Sequence, residues 1–224
     1  MKVQMMRKFN YLVLTLSMSV GAYAGPILAE NFESATAGFY TSGAIAGTVF
    51  SVISGSIDID DPGSYGWLCV APASGKCVDT TGSTQTAPGR GIFETTNLLS
   101  LTPGQYLLSF SLVRWNDTQN GGGPQDATIS VSLGGLYSET FTVDSGWLNQ
   151  QIVRNITVAS GTSANLRFTD LGGTAGYAGA IVDNVTLNSV PEPSTLCLLG
   201  LGLAAMPFAR RSCRRIANPE RAFR

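Results

Sequence analysis

Ala127-Thr128-Ile129-Ser130-Val131-Ser132-Leu133 alternates apolar and hydroxyl side chains without a break. Side chains of an extended chain point alternately to opposite faces, so this stretch predicts a strand with one buried face and one face in water. Weaker strand signals flank it at 105–114, 137–143, 150–158, 165–169 and 180–187. Upstream, Ile53, Gly55, Ile57 and Ile59 alternate with Ser54, Ser56, Asp58 and Asp60, which predicts one further half-buried strand. Turn residues separate these stretches: Thr102-Pro103-Gly104, Asn120-Gly121-Gly122-Gly123-Pro124, Gly134-Gly135, Ser160-Gly161 and Leu171-Gly172-Gly173. Nothing between residues 25 and 189 sustains a 3.6-residue apolar period. Many short strands at this spacing predict an all-β fold, an antiparallel β-sandwich of the jelly-roll kind.

The two ends read differently. Lys2, Arg7 and Lys8 precede an apolar run at 11–20, and Ala22-Tyr23-Ala24 offers a small-x-small cleavage site. That is the pattern of a secretory signal peptide over 1–24, cut after Ala24. At the other end Pro191-Glu192-Pro193 leads into an apolar run at 196–209, followed by Arg210, Arg211, Arg214 and Arg215. The run is shorter than the ~20 residues of a free-standing transmembrane helix. The arginines hold its far end on the cytoplasmic side, because juxtamembrane positive charge resists translocation. Pro191 and Pro193 force an extended approach to it. The motif, short helix and arginine cluster together resemble the PEP-CTERM sorting signal of exopolysaccharide-producing Gram-negative bacteria. That resemblance implies recognition by an exosortase, a membrane processing enzyme, and removal of the tag from the mature protein. The expected organisation is therefore a signal helix at 1–24, one exported domain at 25–189, a sorting signal with a short transmembrane helix at 190–215, and a cytoplasmic tail at 216–224.

Partition also changes the charge. The whole chain sums to -1, but residues 25–189 hold 5 cations and 13 anions, a net -8. Such a surface repels nucleic acid, whose binding depends on neutralised phosphates. Of the four cysteines, only Cys69 and Cys77 lie in the exported part, where an oxidising compartment permits either a disulfide closing a small loop or two free thiols. Histidine is absent, which excludes Ser-His-Asp and Cys-His catalysis and imidazole-ligated zinc.

A second resemblance covers most of the exported domain. Asn31-Phe32-Glu33, Gly55-Ser56-Ile57-Asp58, Val78-Asp79 with Gly82-Ser83, the stretch 101–110, and Val182-Asp183-Asn184-Val185-Thr186-Leu187 are similar in order to landmarks of galactose-binding-like jelly rolls, the fold of many carbohydrate-binding modules. The resemblance implies that Glu33 and Asp183, on the first and last strands, help to hold a structural calcium whose oxygen shell backbone carbonyls complete. Asp58, Asp60 and Asp61 with Pro62-Gly63 form the densest acidic cluster, read as a surface turn closing a strand that carries Asp58 and Asp60 outward. Trp115 and Trp147 are the candidate platforms for sugar rings, because an aromatic face offers apolar contact to the C–H side of a pyranose. Each could equally belong to the core. Paired carboxylates can run glycoside hydrolysis, but nothing in the sequence sets two of them at the needed separation, so no catalytic residue is assigned.

The sequence thus predicts an exported, exosortase-sorted surface or matrix protein. It is transiently anchored in the membrane through its C-terminal helix, and its domain binds extracellular polysaccharide without cutting it. The competing expectation is a structural or adhesive matrix protein with no defined ligand pocket. Exposed coplanar aromatics on a concave face would favour the first, and a flat Ser/Thr surface the second.

Overall fold

The computed structural model describes residues 25–63, 68–82, 89–117, 123–144, 146, 149–173 and 179–191. All of them lie in one compact unit, Ala24–Pro193. The expected signal and membrane helices, the tail, Ala24, Glu192, Pro193, Trp147 and the four arginines fall outside the described residues.

In chain order the first strands are β1 (Leu28–Glu30), β2 (Gly38–Tyr40), β3 (Gly43–Ala44), β4 (Phe50–Ser54), β5 (Ile57–Asp60), β6 (Cys77–Asp79), β7 (Thr81–Gly82), β8 (Gly89–Arg90), β9 (Ile92–Thr95) and β10 (Leu99–Leu101). They are followed by β11 (Gly104–Arg114), β12 (Asn116–Asp117), β13 (Gly123–Pro124), β14 (Ala127–Leu133), β15 (Tyr137–Val143), β16 (Gln150–Val158), β17 (Thr162–Ala164), β18 (Leu166–Gly173) and β19 (Ala180–Val190). No helix occurs among the described residues. The expected all-β sandwich is what the chain forms.

One sheet runs β16-β11-β19-β6-β5-β2, and β1 also pairs with β19. The other runs β15-β14-β18-β9-β4-β3. β19 is the keystone of the first sheet. One of its edges takes β11 along nearly its whole length, while the other takes β6 at Ile181 and Val182 and β1 from Val185 to Leu187. Ala127, Ile129, Val131 and Leu133 are all buried, as the alternation requires. They face Leu108, Phe110 and Leu112 of β11 within one core. Phe168 sits at its centre, stacked on Phe93 at 5.0 Å and edge-on to Phe110 at 5.5 Å and Phe50 at 6.1 Å. At one flank the edge strands of the two sheets are clamped together. The clamp is Arg154 on β16, whose Nε and Nη2 donate to the two oxygens of Glu139 on β15 at 2.6 Å each. That guanidinium holds the Glu139 carboxyl below the usual carboxylate range.

Two sequence expectations need correction. The alternation from Ile53 to Asp60 is not one strand: β4 belongs to one sheet and β5 to the other. Gly55 turns the corner between them with φ 69°, and a Cβ there would lie 1.9 Å from the Arg90 carbonyl oxygen, so only glycine fits. Leu171-Gly172-Gly173, read as a turn, instead ends β18, where a register shift against β14 lets Gly172 adopt φ 102° without leaving the sheet.

Candidate functional site

Because β11 buries Leu108, Phe110 and Leu112, its intervening residues point away from the sandwich. The register with β16 and β19 then fixes an outer grid three strands wide. Gln105 lies between Thr157 and Val190, Leu107 between Asn155 and Asn188, Ser109 between Val153 and Thr186, and Ser111 between Gln151 and Asp183. At ~3.4 Å per residue and ~4.8 Å between strands, this surface is ~20 Å long and ~10 Å across. Gln105, Gln151, Val153, Asn155 and Thr157 are exposed. Apart from the buried Asp183 at one end, the grid carries no charge. Its polar groups are mutually ordered: Thr157 Oγ1 donates to Gln105 Oε1 at 3.0 Å, Gln151 Nε2 to Ser109 Oγ at 2.7 Å, and Ser111 Oγ to Gln151 Oε1 at 2.9 Å. Held amides and hydroxyls that both donate and accept, with Leu107 and Val153 between them, match the mixed polar and C–H surface of a neutral sugar.

Beyond Ser111 the face is closed by the segment leading from β5 into β6. Cys69 and Cys77 are joined by a disulfide with their Cα atoms 5.6 Å apart. Together with Leu68, Ala73, Val113, Trp115 and Ile181 they form a second, smaller core on the outside of the sheet. Trp115 is 6% exposed within it, so it offers no face to a sugar. The platform expected there is corrected to a core residue: its place on an outward position of the sheet looked open only because the covering segment comes from 40 residues upstream.

The same segment docks on the corner where β1 meets β19. Ser74 N donates to Asp183 Oδ2 at 3.0 Å, Lys76 N to Glu33 Oε1 at 3.2 Å, and Pro72 O accepts from Asn184 Nδ2 at 3.1 Å. Gly75, at φ 62°, lies so close that a Cβ would sit 1.8 Å from Glu33 Oε1. Lys76 Nζ donates to the carbonyl oxygens of Glu33 at 3.1 Å and Ala35 at 2.6 Å. Glu30 caps the corner by accepting from Phe32 N at 2.8 Å and Val49 N at 3.1 Å. Burial pushes Asp183 up to about 6 against the backbone donors that lower it, and the charges of Glu33 and Glu30 add to the rise. Glu33, which lies in a turn beyond β1 and not on the first strand as expected, is thus brought to one corner with Asp183 of β19.

The cluster read as a surface turn divides. Asp61 does cap a turn, accepting from Gly63 N at 3.1 Å. Asp58 and Asp60 are buried instead of facing water, and Asp58 lies directly opposite Asp79 across β5 and β6. Asp79 Oδ1 accepts from Thr81 N at 2.9 Å and Gly179 N at 3.0 Å. Asp60, 4% exposed, has an Oδ2 atom with no hydrogen-bond partner among the described residues. Burial, and then repulsion from Asp58 and Asp61, pushes Asp60 up to about 8, and Asp79 is raised chiefly by burial and then by Asp60. Asp170 stands nearby and accepts from the hydroxyls of Thr80 and Thr81. Among the described residues, no three acidic or cysteine side chains converge closely enough to hold a metal ion.

The sequence did not single out the amide grid, because which polar positions share a face depends on pairing register. Lys76 did leave a signal: it is the only cation between residues 25 and 89, in a stretch containing Glu30, Glu33, Asp58, Asp60, Asp61 and Asp79.

Comparison with known proteins gives a match to the PEP-CTERM protein-sorting motif over residues 189–215. The chain therefore carries the sorting signal its C-terminus resembles, the mark of an exported protein handled by exosortase and anchored through that end. No curated protein sequence matches it. Among solved structures it is similar to the CBM22-1 xylan-binding domain from Paenibacillus barcinonensis Xyn10C, at 16% identity and TM-score 0.41, over 75% of this chain and 96% of that one. It is also similar to TmCBM61, solved with β-1,4-galactotriose, at 12% identity and TM-score 0.42, over 75% and 100%. The C-terminal CBM6 of LamC from Zobellia galactanivorans is similar at 10% identity and TM-score 0.37, over 73% and 98%. Of a longer chain, the Cry4Aa toxin from Bacillus thuringiensis, the match spans 19%, at 14% identity and TM-score 0.34 over 53% of this chain.

Proposed function

We infer that the exported sandwich is a non-catalytic glycan-binding module, placed at the cell surface or in the matrix by its sorting signal and associated with extracellular polysaccharide. The observation that carries this reading is the uncharged grid of Gln105, Ser109, Gln151, Asn155, Thr157 and Asn188 on an otherwise acidic domain, with Gln105 and Gln151 held by neighbouring hydroxyls. A purely structural surface has no need of amides held in register in this way. A neutral polysaccharide is recognised by such groups, because each hydroxyl can give and take a hydrogen bond. The absence of charge also spares the cost of stripping water from ions on binding. Hydrolysis is disfavoured by where the perturbed carboxylates lie: Asp60 and Asp79 are each 4% exposed, leaving a glycosidic bond no approach to them.

The test is binding of the full chain to exopolysaccharide and to a glycan array, compared with N155A and with the double variant Q151A/N155A. At about 1 kcal/mol per hydrogen bond lost, the double variant should bind about tenfold or more weakly while melting normally. Unchanged binding by both variants would move the protein to the structural, adhesive class.

A further inference from the structure

The corner joining β1, β19 and the disulfide-closed segment gathers the groups that the jelly-roll resemblance assigns to a structural calcium, yet they do not fit one. Calcium takes 6–8 oxygen ligands, drawn from carboxylates and backbone carbonyls. Here the carbonyl oxygens of Glu33 and Ala35 already accept from the Lys76 ammonium at 3.1 and 2.6 Å. Asp183 Oδ1 accepts from Asn184 N at 2.6 Å, and its Oδ2 from Ser74 N and Asn184 Nδ2, both at 3.0 Å. Glu33 Oε1 is taken by Lys76 N at 3.2 Å. A divalent ion would have to expel these donors and sit beside a fixed positive charge.

We propose that Lys76 is the built-in cation of this corner, its ammonium doing for the Glu33 and Ala35 carbonyls what a divalent metal would otherwise do. An ammonium has three donors and no acceptor, so two carbonyls at this spacing are natural partners for it. Position 76 lies one residue from Cys77, so the disulfide and the ion contact fasten the same segment. The corner is therefore metal-independent by construction, and removing the ammonium leaves the Glu33 and Ala35 carbonyl oxygens without their donor.

Thermal melts of the full chain in mild detergent, with terbium luminescence as a direct probe of an oxygen-ligated cation site, test this. The wild-type melt should be unmoved by EDTA or millimolar calcium, with no terbium signal above that of the denatured chain. K76M should melt several degrees lower, because the two carbonyl oxygens lose their donor. K76R, which keeps the charge, should stay close to wild type. A wild-type melt that falls on chelation would overturn the proposal, as would K76M melting like wild type. K76R melting as low as K76M would also overturn it, because Lys76 would then serve by packing and not by its charge. Should K76M fail to fold, the wild-type response to EDTA and terbium still decides.

Discussion

Replacing Asp60 by asparagine should stabilise the protein, and by an amount that depends steeply on pH. Asp60 is buried, its Oδ2 has no partner among the described residues, and Asp58 and Asp61 repel its charge. Its carboxyl is pushed from 3.8 up to about 8, so the folded state holds this proton more tightly than the unfolded chain does. Stability from such a group is complete below the unfolded value near 3.8 and drains away as pH rises towards 8, because ionisation is free in the unfolded chain and opposed in the folded one. At ~1.4 kcal/mol per pH unit, the deficit at pH 7 comes to about 4 kcal/mol. Asparagine keeps the shape, cannot ionise, and can turn an N–H towards the neighbouring carboxylates. D60N should therefore match wild type near pH 4 and melt roughly ten degrees higher at pH 7–8, taking ~2–4 °C per kcal/mol for a domain of this size. The assay is circular-dichroism melting of both chains across pH 4–8.5. An equal shift at pH 4 and pH 8, or a lower melt for D60N at pH 8, would refute the reasoning, since either result means that no proton is held at Asp60.

Two further outcomes probe the scaffold. Breaking the Cys69–Cys77 bridge, by C69S/C77S or by reduction, should lower stability by about 2–3 kcal/mol, the chain entropy a loop of this length regains on unfolding. Differential scanning calorimetry would show it. Phe168→Ala should cost about 3–5 kcal/mol in urea unfolding, because the ring touches aromatic partners from both sheets and no neighbour can collapse into its place.

Strand identity was legible in the sequence wherever only one face of a strand is buried. The predicted stretches 127–133, 137–143 and 150–158 coincide with β14, β15 and β16, because period-two alternation is the direct imprint of a sheet with one side in water. The sorting signal was legible too, since it is read as an extended linear pattern. Where both faces are covered the imprint fails. β5 alternates isoleucine with aspartate as a surface strand would, yet all four of its residues are buried, with Cys69 of the disulfide lying against the Asp60 carbonyl. The same covering buries Trp115 and brings Lys76 to Glu33. It rests on contacts between residues tens of positions apart, and no local pattern encodes those. Composition and periodicity marked out an all-β sandwich, and the terminal motif marked an exported chain. Which polar residues share an open face, which carboxylates lose water, and which carbonyls the Lys76 ammonium reaches were decided only when β19 took β11 on one edge and β1 and β6 on the other, because register and covering loops, unlike strand propensity, are properties of the assembled sheets.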